Sequence, residues 1–250
     1  MKIFGASDIG KVRLENQDCF AVRTLSDGVL AVVCDGMGGA AAGRTASDIA
    51  CRSFMEHASA ALEVGGGDKI AESLSAGADR ANRDVYSRSM QDSECEGMGT
   101  TLVALYANRD GVTLLNVGDS GAYRISNGVM TKLTHDHSLV QELMDLGRLT
   151  REQARKHPRK NIITRVVGGE RFVRSDLFEA EANEGDIFLL CSDGLTNSLS
   201  DEDITVCCPQ GGEPEAICGA LIEAALSAGA RDNVTVVALT FEREADGHEQ

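Results

Sequence analysis

Apolar residues along this chain follow two rhythms. Short runs of four to eight, bounded by Gly, Asp or Asn, predict β-strands, and longer stretches with an apolar residue every three or four positions predict helices. The runs Val29-Leu30-Ala31-Val32-Val33-Cys34 and Ile187-Phe188-Leu189-Leu190-Cys191 are continuous, partly β-branched and too short for helices. Each gives way to Asp-Gly, at Asp35-Gly36 and, after Ser192, at Asp193-Gly194. A third run, 112–117, ends at Gly118-Asp119-Ser120. Two more acids stand just ahead of strands, Asp18 before 19–25 and Asp232 before 234–241. The turn Ser26-Asp27-Gly28 predicts a hairpin between the first two strands.

Between the strands, Ala46, Ile49, Ala50, Phe54, Ala58 and Leu62 mark one long helix that ends at Gly65-Gly66-Gly67, and Ile70, Leu74, Ala78, Ala81 and Val85 mark a second. Both stripes are core packing, a helical pair over one sheet face. Strands follow at 100–107, 112–117, 122–126 and 129–133, read as a meander, then at 172–180 and from Asp186 onward. A last helix has Pro214 in its first turn and Gly229 at its end. This order predicts an α+β fold: two antiparallel sheets packed as a central β-sandwich, flanked by α-helices in four layers. One domain is expected over residues 1–241, followed by a polar tail, 242–250.

Composition narrows the function. With 39 acidic against 24 basic residues, the net charge of -15 argues against nucleic acid and anionic membranes as partners. No stretch approaches the roughly 20 apolar residues of a membrane span, so a cytoplasmic protein, expected to be a monomer, follows. The eight cysteines contain no CxxC pair and fall mostly inside strand or helix patterns, which predicts reduced, buried thiols. The segment 136–169 differs: seven basic residues, among them Arg155, Lys156, Arg159 and Lys160, stand against four acidic ones in a short, polar, helical pattern. It is expected to be an inserted lobe beside the acids.

Strand ends lie beside neighbouring strand starts in antiparallel sheets, so Asp18, Asp35, Asp119, Asp193 and Asp232 are expected at one rim. Any one of them alone is more often a turn or cap residue. Their recurrence at one rim points instead to a metal site, where the Gly36 carbonyl could add a main-chain oxygen. Oxygen ligands without His or Cys select Mg²⁺ or Mn²⁺. Two such ions about 3.5–4 Å apart hold a bridging hydroxide and phosphate oxygens, so phosphate ester hydrolysis is the chemistry they suit. Arg13, in the polar stretch before Asp18, offers a fork for two phosphate oxygens.

The motifs Asn16-Gln17-Asp18, Val33-Cys34-Asp35-Gly36-Met37-Gly38-Gly39, Gly97-Met98-Gly99-Thr100-Thr101, Asn116-Val117-Gly118-Asp119-Ser120, Thr134-His135-Asp136-His137-Ser138, Ser192-Asp193-Gly194-Leu195 and Arg231-Asp232-Asn233-Val234-Thr235 occur in order over residues 7–241. The chain thereby resembles the bacterial branch of the PPM (PP2C-type) family of metal-dependent protein serine/threonine phosphatases. The resemblance implies that Asp35, Asp193 and Asp232 hold a first Mn²⁺ or Mg²⁺ and Asp35 with the Gly36 carbonyl a second. Asp119 with Asp193 is implied to hold a third, weaker ion. It also makes Asp18 a hydrogen-bonding partner of metal-bound water, Arg13 the phosphate contact and 136–169 the flap. Phosphorylated proteins are the implied substrates and a Ser/Thr kinase the opposing enzyme. The chain departs from the pattern at Met37, Ala40 and Arg44, so leaving-group protonation falls to other groups. His135 and His137 are read as hydrogen-bonding the flap's base. The alternatives are a noncatalytic module of the same fold, which would be expected to have lost one of the acids, and a hydrolase of small phosphate esters.

Overall fold

The structure, a computed structural model, describes residues 1–65 and 69–241, so the tail at 242–250 and two of the helix-ending glycines lie outside the described residues. In chain order the elements are β1 (Lys2–Asp8), β2 (Asp18–Leu25), β3 (Gly28–Met37), α1 (Gly39–Gly65), α2 (Ile70–Gln91), β4 (Gly99–Thr100), β5 (Leu102–Ala107), β6 (Val112–Val117), β7 (Gly121–Ser126), β8 (Val129–Lys132), α3 (Leu139–Asp145), α4 (Arg151–Arg155), β9 (Asp176–Ala180), β10 (Ile187–Cys191), α5 (Asp193–Ser198), α6 (Asp201–Val206), α7 (Pro214–Ser227) and β11 (Val234–Thr240).

Two antiparallel sheets result. One runs β2-β3-β5-β6-β9, with β4 on the far end of β3, and the other runs β1-β11-β10-β7-β8. The long apolar runs are continuous because their strands are covered on both sides. In β3, Val29, Ala31 and Val33 meet Phe188, Leu190, Val237 and Leu239 of the opposite sheet. The intervening Leu30, Val32 and Cys34 meet Ala46, Ala50 and Phe54 of α1 and Leu74 and Ala78 of α2. On the other flank, Leu195, Ile204, Ile217 and Leu221 cover the outer face of β10 and β11. The layers are therefore helix, sheet, sheet, helix, as expected. Phe54 is fully buried, and replacing such a ring with Ala costs about 3–5 kcal/mol.

Four sequence expectations change. The meander is split: β5 pairs with β6 and β7 with β8, but β6 continues to β9 while β7 turns to β10. The chain changes sheets at Gly118-Asp119-Ser120. The strand expected from Phe172 starts at Asp176, and Phe172 lies exposed. β1 is an added edge strand beside β11. The acid of Asp193-Gly194 opens a helix, with Ser192 at its N-cap, and a capping box of Ser200 and Asp203 starts the next. All eight thiols are free and six are buried, in keeping with the apolar patterns around them. Among the described residues no helix is long and apolar enough to cross a membrane.

Candidate metal centre

The acids come from strand ends in both sheets and from the turn after β6. Register places Asp18, the first residue of β2, opposite Asp35 in β3. The Asp35 main chain is fixed on both sides: its N–H donates to Thr101 Oγ1 at 2.9 Å and its carbonyl accepts from Thr101 N–H at 2.9 Å. Gly36 follows because a Cβ there would lie 2.0 Å from the Gly43 carbonyl oxygen and 2.8 Å from that of Gln17. Gly194 serves the same purpose opposite: a Cβ would stand 1.9 Å from the Asn233 carbonyl oxygen, so only glycine lets α5 bring Asp193 beside Asp232.

Asp35, Gly36, Asp119, Asp193 and Asp232 line one cleft of about 630 Å³ together with Arg13, Met37 and Ile163. Arg13 Nη2 donates to Asp232 Oδ2 at 2.7 Å. The Arg13 loop is held by Asn233, whose Nδ2 donates to the carbonyls of Ile9 and Glu15 and whose Oδ1 accepts from the Gln17 N–H. Asp18 departs from the expectation of five acids on the rim: it lies buried beneath the cleft. Its Oδ2 accepts from Ser192 Oγ and Thr235 Oγ1, both at 2.7 Å, which ties the starts and ends of three strands together.

Sequence reasoning gave no role to Ser192, Thr235 or Asn233. The available signal was a hydroxyl or amide at the margin of an apolar run, and Ser192 and Thr235 are fully buried. His135 and His137 flank the start of residues 136–169. His137 is buried, its Nδ1 accepts from the Gly118 N–H at 3.0 Å, and its Nε2 lies 3.2 Å from Asp176 Oδ2. Burial lowers its pKa from the ordinary histidine value. His135 pairs with Asp145. Much of the flap's basic charge is internally engaged: Arg151 and Arg155 bind Asp201, Lys156 binds Glu152, and Lys160 donates to Asn197.

The acids strain against one another. Burial first, then Asp18, Asp193, Asp119 and Asp232, pushes Asp35 well above the ordinary carboxylate value. Burial and Asp232 raise Asp193 to about 6, and burial, Asp193 and Asp136 raise Asp119 to about 7. Burial also raises Asp18 to about 6 despite its two hydroxyl donors. Asp18 Oδ1 and Asp119 Oδ1 are buried with no hydrogen-bond partner among the described residues. Mutual repulsion and buried unpaired oxygens are what a divalent cation relieves. Among the described residues no three His, Cys, Asp or Glu side chains draw together as a ready cage. Carboxylates spread along a cleft in this way suit Mg²⁺ or Mn²⁺, which take one or two carboxylates and keep several waters.

The family model described as protein phosphatase 2C matches residues 5–210. The chain belongs to this family. The serine/threonine phosphatase stp of Listeria monocytogenes is 35% identical over 232 residues, 92% of each chain. The crystal structure of the Mycobacterium tuberculosis serine/threonine phosphatase PstP/Ppp superposes with a TM-score of 0.86 at 37% identity, covering 97% of this chain and 99% of that one. A structure of the PstP catalytic domain in complex with two manganese ions has a TM-score of 0.82 at 37% identity and covers 95% and 96%. The helix-flanked sandwich described above is the architecture of these protein phosphatase 2C relatives.

Proposed function

We propose that the protein is a metal-dependent phosphatase of phosphoserine and phosphothreonine in proteins, cytoplasmic and opposed by a Ser/Thr kinase. The observation that carries this reading is a cleft lined by mutually repelling carboxylates, with Arg13 on its wall. Asp35, Asp193 and Asp232 would hold one Mn²⁺ or Mg²⁺, Asp35 with the Gly36 carbonyl a second, and Asp119 with Asp193 a weaker third. When bound, such ions supply an activated water and Lewis acidity toward the phosphoryl group. The family match and the names of its bacterial relatives support protein rather than small-ester substrates.

The chain's own residues do the remaining work. Arg13, exposed and resting on Asp232, is free to turn its guanidinium fork onto two phosphate oxygens. Asp18 has Oδ2 committed to two hydroxyls, and Oδ1 remains to accept a hydrogen bond from a water at the floor of the cleft. No thiol or hydroxyl of the protein acts as nucleophile, so thiol blockers should leave activity intact.

The test is turnover of phosphoserine and phosphothreonine peptides with Mn²⁺, with Mg²⁺ and with EDTA. Turnover with either metal and none in EDTA is expected, with Asp35→Ala the most damaging single change. Full activity in EDTA or in Asp35→Ala would refute the metal mechanism. Absence of turnover by protein that binds Mn²⁺ would favour the noncatalytic module.

A further inference from the structure

The flap touches the edge of the metal cleft at several points, and one contact runs on to a carboxylate of the site. Arg151 and Arg155 in α4 both bind Asp201, the first residue of α6, at 2.8 and 2.9 Å. There the contact stops. Lys160, just beyond α4, donates from Nζ to Asn197 Oδ1 at 2.6 Å, and Asn197 Nδ2 donates to Asp193 Oδ2 at 2.9 Å. Asn197 stands four residues after Asp193 in α5, on the same helix face. Lys160, Asn197 and Asp193 line a second cavity of about 400 Å³ under the flap, which shares Asp119 and Asp193 with the metal cleft.

The order of donors in this chain is obligatory. An ammonium has only donors and a carboxylate only acceptors, so an amide between them satisfies both in one orientation alone. Flipping Asn197 would set its NH₂ against the ammonium and its oxygen against the carboxylate. Lys160 thus fixes the amide, and the amide holds Asp193 Oδ2. Among the described residues no hydrogen bond reaches Asp193 Oδ1, the oxygen left for a cation.

We infer that Lys160 is a positioning residue: through Asn197 it orients the Asp193 carboxylate, so that the placement of the flap and the affinity for divalent cations are linked. This inference rests on the proposed metal site. It makes the flap part of what holds the cation as well as a surface that substrate meets.

A double-mutant cycle on Mn²⁺ binding, measured by titration calorimetry, isolates the link. Lys160→Met keeps the aliphatic stem, and Asn197→Ala removes the amide. The Lys160 charge also repels an incoming cation, but its removal contributes the same factor with or without Asn197, so the cycle cancels it. Asn197→Ala is expected to weaken Mn²⁺ binding about three- to tenfold, the worth of one ordinary, solvent-exposed hydrogen bond. Lys160→Met should be less favourable to binding, by about threefold or more, in the wild-type background than in Asn197→Ala. Melting temperatures of the four proteins in EDTA should coincide, since surface polar contacts contribute little to stability. An equal factor for Lys160→Met in both backgrounds, or affinity that falls only in step with melting temperature, would overturn the inference. Wild-type protein that takes up no Mn²⁺ would remove it together with the proposed function, whereas Mn²⁺ binding with an uncoupled cycle would remove this inference alone.

Discussion

Replacing Asp18 with Asn should stabilise the metal-free protein at alkaline pH and impair it as a metalloenzyme. Asp18 is buried, and that burial raises its carboxyl from the ordinary 3.8 to about 6. The folded chain therefore holds this proton to higher pH than the unfolded chain does. Between those two values the folded state binds more protons, so stability falls as pH rises through the window and the loss is complete above it. The difference amounts to about 3 kcal/mol by pH 8. An amide in the same place removes that charge. Its oxygen can accept from Ser192 and Thr235 as Oδ2 does, and its NH₂ takes the place of Oδ1, which has no partner among the described residues. An unpaired buried donor costs about 1–2 kcal/mol, leaving a net gain of about 1–2 kcal/mol at pH 8. At pH 4 the wild-type carboxyl is largely neutral, so the same substitution should destabilise by about 1 kcal/mol. Urea unfolding of both proteins in EDTA at pH 4, 6 and 8 measures the sign change directly. Added Mn²⁺ should then raise the stability of the wild type more than that of the variant, since ligand stabilisation follows affinity for the folded state. A variant less stable than wild type at pH 8 in EDTA, or an offset that is the same at pH 4 and 8, would refute the argument from burial.

Gly36→Ala sets a methyl 2.0 Å from the Gly43 carbonyl oxygen, a backbone atom that cannot give way; a loss of about 3 kcal/mol or more should appear as a depressed melting temperature with Mn²⁺ present. His137→Ala leaves the Gly118 N–H without its acceptor and should cost about 1–3 kcal/mol in urea unfolding; unchanged stability would show that the imidazole is not a structural post. Asp119→Asn should keep the two tighter Mn²⁺ sites in calorimetry while slowing phosphopeptide turnover more than aryl phosphate turnover, because only the poorer leaving group depends on assisted protonation. Unchanged phosphopeptide kinetics would return Asp119 to a turn residue.

Legibility in the sequence follows burial. Val29 to Cys34 and Ile187 to Cys191 announce themselves because each strand is covered on both faces, so every position is apolar. β1 lacks that signature: it is an edge strand whose exposed and half-buried positions alternate over few residues, with Gly5 in the middle. Which strands pair is harder to read than where they lie. β5 to β8 follow one another closely, yet the second neighbour of β6 is β9 and that of β7 is β10, choices made by sheet packing far along the chain.

The same distinction runs through the site. Acids that terminate apolar runs are visible from local pattern, because a strand's end is a local event, and antiparallel pairing then gathers such ends. The groups that hold those acids are not visible in this way. Ser192 and Thr235 share the Asp18 carboxylate only because β10 and β11 lie side by side, and Asn197 acquires a purpose only when α5 carries it between Lys160 and Asp193. Asp18 itself shows the limit: its place before a strand suggested the rim, whereas the fold leaves it out of the cleft lining and buries it, where its charge is hardest to keep. A carboxylate buried at such a cost and given two hydroxyl donors but no third makes physical sense in the metal-dependent phosphatase proposed above. The instability of the empty site and the affinity of the filled one are then two measures of one arrangement of charges.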